Sequence, residues 1–232
     1  MRRFAVKTVV DGITTAAMLL ASIAVIVYVW QGTRANARSN AAEGPLPKAP
    51  LALQGSATEG SPDAPFALVV FSDFECPFCR AFAQGILPTF RGEFVNTGKV
   101  LLSFRHFPIK SHPSARAAAQ AAVCAEEQGR FWVLHDTFFA LPSTVRDIDN
   151  TFRDIGGDTA SFVSCEKSER ASRAVESDLA LVKALEIQGT PTFLFGPTEH
   201  GNVVYVTKRF TGTANYASFK QQLGSFQDGP GR

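Results

Sequence analysis

Seven residues, "FALVVFS" from Phe66 to Ser72, carry no charge and are rich in β-formers. Such a run suits a strand that is buried on both faces. A cysteine pair, Cys76 and Cys79, follows almost directly in "SDFECPFCRAF". Beyond it, Phe82, Ile86, Phe90 and Phe94 recur at helical spacing, and Pro88 is placed to kink that helix. "KVLLSFRHF" (99–107) then reads as a second strand. Strand, cysteine pair, helix and strand form a βαβ unit with the thiols at the strand-to-helix turn. This unit restricts the chain to an α/β architecture.

From Ser111 to about Glu186 the texture is helical. "SHPSARAAAQAAVCAEEQG" begins at a capping serine and turns Ala-rich; Phe131, His135 and Phe138 share a face; Val175, Leu179 and Val182 form a stripe. The block is too long for a simple loop. Strands resume at "PTFLFG" (191–196) and "NVVYVTKRF" (202–210). The amphipathic "ANYASFKQQLGSF" follows, with Tyr216, Phe219 and Leu223 turned inward. Residues 63–110 and 187–228 thus read as one small α/β domain, interrupted by a helical insertion over 111–186.

The N-terminal region has its own character. Nineteen residues from Gly12 to Trp30 carry no charge, which is enough to span a bilayer as a helix. Tyr28 and Trp30 suit an interfacial belt. A cleaved signal peptide is the alternative, with Ala35-Asn36-Ala37 as its cleavage site, but its apolar core is ordinarily shorter. The expected organisation is a cytoplasmic N-terminus (1–11), a transmembrane anchor (12–30) and a flexible linker (31–62). The linker follows from the Gly, Pro, Ala and Ser that dominate "QGTRANARSNAAEGPLPKAPLALQGSATEGSP". Arg2, Arg3 and Lys7 precede the span while Arg34 and Arg38 follow it, so charge alone sets little orientation. Lys and Arg number 23 against 21 Asp and Glu, with no basic run in the body, and nothing points to a nucleic-acid partner.

Two cysteines at this spacing serve zinc, a structural disulfide or redox exchange. Structural zinc sites usually take two closely spaced ligand pairs, whereas Cys124 and Cys165 stand singly on separate helices. A structural disulfide closing so short a loop gains little. Redox chemistry has a direct physical basis. Pro77 suits the first turn of a helix, where its missing N–H has no partner to lose. Cys76 then sits at the helix head, where unpaired N–H groups and the dipole favour a thiolate. Cys79, one turn along, is expected to be more buried. No metal ligand is assigned.

"GTPTFLF" supplies a second signal, because Thr190-Pro191 precedes an apolar strand and an X-Pro bond there can be cis. Together with "FSDFECPFC" and "AAVCAEEQGRFWVLHDTFF", over about residues 55 to 228, the chain resembles the DsbA-like thiol–disulfide oxidoreductases of the thioredoxin superfamily. The resemblance implies a thioredoxin-like fold with an inserted helical domain. It also implies Cys76 as nucleophile, Cys79 as resolving thiol and Pro191 as a cis-proline facing them. Thr190, Pro77 and Phe78 are the implied substrate contacts, with the Thr190 backbone pairing to an extended client.

Three positions depart from the family pattern. The dipeptide between the cysteines is Pro-Phe and lacks the histidine of the strongest oxidases; Glu75 sets a charge beside Cys76; and Val70 stands where the superfamily often holds a buried acid, with Asp73 the nearest alternative.

Cys124 and Cys165 have two readings, as buried free thiols or as a structural disulfide; an oxidising compartment favours the second. Closing that loop is worth roughly 4 kcal/mol in the chain-entropy model. His106, His112, His135 and His200 read as strand, capping, packing and turn residues. The expectation is a single-pass protein of the cytoplasmic membrane with its catalytic domain on the extracytoplasmic (periplasmic) side. It would oxidise reduced or misfolded exported proteins without a bound cofactor, and family resemblance suggests a quinone-linked membrane thiol oxidase as redox partner. A disulfide reductase or isomerase is the alternative, and a redox-inert peptide-binding module or chaperone is the alternative of another class.

Overall fold

The structure is a computed structural model and describes residues 22, 23, 25–27, 44–200, 202–212 and 215–224. The chain divides into two units, Met1–Glu43 and Gly44–Arg232. Most of the anchor expected at 12–30 lies outside the described residues; 22, 23 and 25–27 are helical. Among the described residues no helix is long and apolar enough to cross a membrane. The second unit carries the chemistry.

Its strands are β1 (Leu51–Ala52), β2 (Ala57–Glu59), β3 (Phe66–Ser72), β4 (Val100–His106), β5 (Thr192–Glu199), β6 (Val203–Val204) and β7 (Lys208–Thr211). β3 is central, parallel to β4 on one side and antiparallel to β5 on the other. β2 closes the β4 edge, and β7 and β6 pair with successive parts of β5. The apolar run of β3 follows from this position. Leu68 and Val70 pack on one face with Phe82, Phe90, Phe193 and Phe219. Ala67, Val69 and Phe71 pack on the other with Leu101, Val182 and Leu194.

α1 (Pro77–Gly85) leaves β3 through the cysteine turn, and α2 (Leu87–Phe90) restarts at Leu87, with Pro88 in its first turn. Between β4 and β5 lies the helical block: α3 (Ala115–Glu126), α4 (Phe131–Ala140), α5 (Ile148–Asp154), α6 (Thr159–Lys167) and α7 (Glu169–Ala184). Asp158 and Ser168 cap α6 and α7 by accepting the N–H groups of Ala160 and Arg170. α8 (Tyr216–Leu223) packs Phe219 into the sheet face that α1 and α2 also cover. A buried ion pair joins insertion to sheet: Arg105 of β4 meets Asp178 of α7 at 3.0 Å, and Asp178 also accepts the His106 N–H at 2.8 Å.

Two sequence expectations change. The stretch expected as linker to 62 is part of the folded unit from Gly44 onward. Arg209 donates to the carbonyls of Pro45, Leu185 and Glu186, Arg105 donates to those of Ala52 and Gln54, and Leu51 and Leu53 are buried. The strand expected over 202–210 is two short strands. The Tyr205 N–H bonds to Pro197 and the Thr207 N–H to Phe195, an irregular crossing beside Gly196. A Cβ on Gly196 would lie 2.0 Å from the Tyr205 carbonyl oxygen, so only glycine fits.

Candidate active site

β3 ends at Ser72, and a tight turn delivers Cys76 to the head of α1. The Cys76 N–H donates to the Asp73 carbonyl at 3.1 Å, and its own carbonyl accepts the Arg80 N–H at 3.1 Å. Pro77 occupies the first turn of α1. Cys76 and Cys79 are both free thiols. Cys79 is fully buried and Cys76 is 4 % exposed, so Cys76 is less open than a residue at a turn suggests. Its cover is the loop that the sequence singled out. The Cys76 sulfur lies 3.5 Å from the Thr190 carbonyl oxygen, to which it donates only when protonated, and the Thr190–Pro191 bond is cis. Phe78, between the cysteines, is 66 % exposed and offers an aromatic face beside this narrow opening.

The two thiols differ in acidity. Cys76 is held down at about 5, chiefly because the Cys79 side chain donates to it; burial opposes this, and Thr190 and the N–H groups of Cys79 and Phe78 add to it. Cys79 is pushed well above the ordinary thiol range by burial and by the Cys76 charge. The pair therefore holds one proton on the inner sulfur and negative charge on the outer one.

The surroundings correct one expectation and extend others. Glu75, whose charge the sequence sets beside Cys76, turns its carboxylate to the Ser114 N–H at 2.6 Å, at the start of α3. Asp73 is buried, and its carboxylate accepts the N–H groups of Glu75 and Ile109, each at 2.7 Å, with His112 Nδ1 at 2.9 Å. His112 thus partners the active-site turn as well as standing near a helix start. His106 ends β4 against the rings of Phe74 and Phe104. Burial, and secondarily the Arg105 charge, push it down to about 3, so it is neutral and supplies no charge to the thiolate. Burial likewise lowers His135. His200 lies in a turn with φ 49°. Ser72, not singled out from sequence, favours the Cys79 thiolate through its side chain. A polar residue ending an apolar strand was the available signal.

Cys124 of α3 and Cys165 of α6 are joined as a disulfide with a Cα–Cα distance of 5.7 Å. It is buried with Phe131, Phe138, Phe152 and Phe162 in the core of the insertion. Among the described residues no three His, Cys, Asp or Glu cluster as a metal site.

Comparison with known proteins accords with this geometry. A sequence model of the thioredoxin family matches residues 53–210, more than half of the chain. Disulfide bond formation protein D of Bacillus subtilis is 30% identical over 151 residues, covering 60% of this chain and 67% of that protein. Na(+)/H(+) antiporter NhaA 3 of Salinispora tropica is 30% identical over 171 residues, 72% of this chain. The match covers only 26% of that antiporter, and 24% and 25% of two related antiporters. Among solved structures, α-DsbA1 of Wolbachia pipientis superposes with a TM-score of 0.62 at 20% identity, covering 80% of this chain and 93% of that one. Oxidised BdbD of B. subtilis superposes with a TM-score of 0.61 at 22% identity, covering 78% and 97%. The chain belongs to the thioredoxin family. Within it, the helical insertion between β4 and β5 makes it DsbA-like.

Proposed function

We propose that this protein is a thiol–disulfide oxidoreductase that oxidises exported proteins outside the cytoplasm, held to the membrane through residues 12–30. The observation that carries the reading is the unequal thiol pair: an acidic Cys76 at a helix head over a buried, protonated Cys79. A thiolate that is stable when free is a good leaving group, and stabilising the reduced pair makes it oxidising.

The cycle starts from the Cys76–Cys79 disulfide. A client thiolate attacks the Cys76 sulfur; the bond to Cys79 breaks, and the Cys79 sulfur takes up a proton. A second client thiolate then attacks the client sulfur of the mixed disulfide, and Cys76 leaves as the thiolate. Two client thiols become one disulfide, and the enzyme holds the two electrons. A membrane thiol oxidase linked to quinone would take those electrons and restore the Cys76–Cys79 bond. Thr190, Pro77, Phe78 and Pro191 form the client-facing rim. Phe78 is the exposed apolar contact, and the Thr190 backbone is the pairing edge.

The test has two arms. Catalysed oxidation of a reduced, unfolded test protein should require Cys76; Cys76→Ser retaining full effect would favour a redox-inert binding module. Equilibration of the Cys76–Cys79 pair with glutathione should place it among the oxidising members of the superfamily. A potential like that of thioredoxin, about −270 mV, would favour the reductase reading.

A further inference from the structure

Two carboxylates flank the nucleophile in "SDFEC", and both reach across the molecule to one segment, Phe107–Ser114. Asp73 Oδ1 accepts the Glu75 N–H at 2.7 Å while the Asp73 carbonyl accepts the Cys76 N–H at 3.1 Å. Those two bonds close the turn that sets Cys76 at the head of α1. Asp73 Oδ2 takes the Ile109 N–H at 2.7 Å and His112 Nδ1 at 2.9 Å. Glu75 Oε2 takes the Ser114 N–H at 2.6 Å, and the Phe107 N–H donates to the Ser72 carbonyl at 2.8 Å. The turn and the segment are therefore joined at four successive points, and among the described residues Asp73 alone bonds to both the turn and the segment through one side chain.

A buried carboxylate is costly unless its lone pairs are filled. The Asp73 carboxylate is fully buried and has three donors. Its negative charge is thus directed into N–H groups rather than toward sulfur. Hydrogen bonds of this kind, to an ionised acceptor, are the strong ones.

We propose that Asp73 is a positioning residue for the Cys76 thiol, with His112 as its clamp: the carboxylate fixes the active-site turn against the Phe107–Ser114 segment. This rests on reading Cys76 as the reacting thiol. Asp73 touches neither client nor sulfur through its side chain; it acts through the Glu75 and Cys76 backbone. Without it, the N–H groups of the first turn of α1 lose their fixed aim at the sulfur, and the thiolate loses part of its stabilisation.

The experiment is the pH dependence of Cys76 alkylation by iodoacetamide in the reduced full chain, read by peptide mass. Asp73→Ala should raise the midpoint by about one unit, tenfold less thiolate at low pH. Asp73→Asn keeps an oxygen for the Glu75 N–H but turns an NH2 toward the Ile109 N–H and His112, so its midpoint should rise as well, by less than that of Asp73→Ala. If the charge itself governed the sulfur, both variants would lower the midpoint together; that result, or no change in Asp73→Ala, overturns the proposal. Asp73→Ala strands two N–H groups, so folding is checked by far-ultraviolet circular dichroism. Should it fail to fold, His112→Ala replaces it, since the His112 side chain is 26% exposed and its removal is tolerable. That variant should raise the midpoint by about half a unit, roughly threefold less thiolate at low pH, and an unchanged midpoint overturns the proposal. A parent midpoint near 8.5 contradicts the functional reading and this one with it. A low parent midpoint with unmoved variants contradicts the positioning role alone.

Discussion

Cys76 and Cys79 lie at the head of one helix, whereas Cys124 and Cys165 lie 41 residues apart on two helices. The first pair is reduced, and the second is bonded. All four residues are buried, so burial does not separate the pairs. What separates them is what each sulfur faces. Cys76 meets N–H groups, a hydroxyl, the Thr190 carbonyl and a second thiol at the end of a helix. Cys124 and Cys165 face each other in a disulfide, within a buried cluster rich in Ala and Phe, and among the described residues no N–H group or hydroxyl bonds to their sulfurs. Negative charge is stabilised in the first setting and penalised in the second, so the proposed exchange chemistry suits the first pair and cross-linking the second.

Substitution at each pair breaks the comparison most severely. Cys76→Ser should abolish catalysed oxidation of a reduced test protein and, at pH 5 or below where the thiolate adds little stability, leave the urea midpoint of the fold nearly unchanged. The double variant Cys124→Ala and Cys165→Ala should do the reverse. It should lose roughly 4 kcal/mol of stability in urea titration, by the chain-entropy estimate, while Cys76 alkylation keeps its rate. A double variant that also lost alkylation at Cys76 would show that the insertion sets the reactivity of the turn.

A smaller effect lies in the pH dependence of stability. The depressed Cys76 adds stability to the reduced form that is fully present above the ordinary thiol range and lost as pH falls through about 5. The raised Cys79 acts oppositely, adding stability below the ordinary thiol range that is lost as pH rises through its own higher value. The stability of the reduced form over the oxidised should therefore climb from pH 5 to about 8.5 and fall above it. Urea titrations of both forms across that range check the sign. The smallest effect concerns the rim: Phe78→Ala should slow oxidation of an unfolded client a few-fold without shifting the Cys76 titration, because its ring is exposed.

The elements that position the thiols were legible because they are long and periodic. The run 66–72 is β3 with the same ends, and "KVLLSFRHF" contains β4. The cysteine turn, the proline in the first turn of α1 and the separate helical block followed from spacing and length. β1 and β2 did not, because strands of two and three residues in a Pro, Gly and Ser stretch have no period to detect; Arg105 and Arg209 anchor that stretch from distant parts of the chain. The partners of Asp73 and Glu75 were equally hidden. His112 and Ser114 lie 39 residues from them, and only the tertiary fold brings donors to those carboxylates. Sequence placed Glu75 beside the sulfur and so suggested an opposing charge; distance along the chain was a poor guide to where the charge points.

The central claim is that one proton is shared unequally, with charge on Cys76 and the proton on Cys79. The pH profile of Cys76 alkylation in the reduced full chain tests it most directly. The account predicts a midpoint near 5, with a plateau above it and a tenfold loss per unit below. A midpoint near 8.5, the ordinary thiol value, would contradict it.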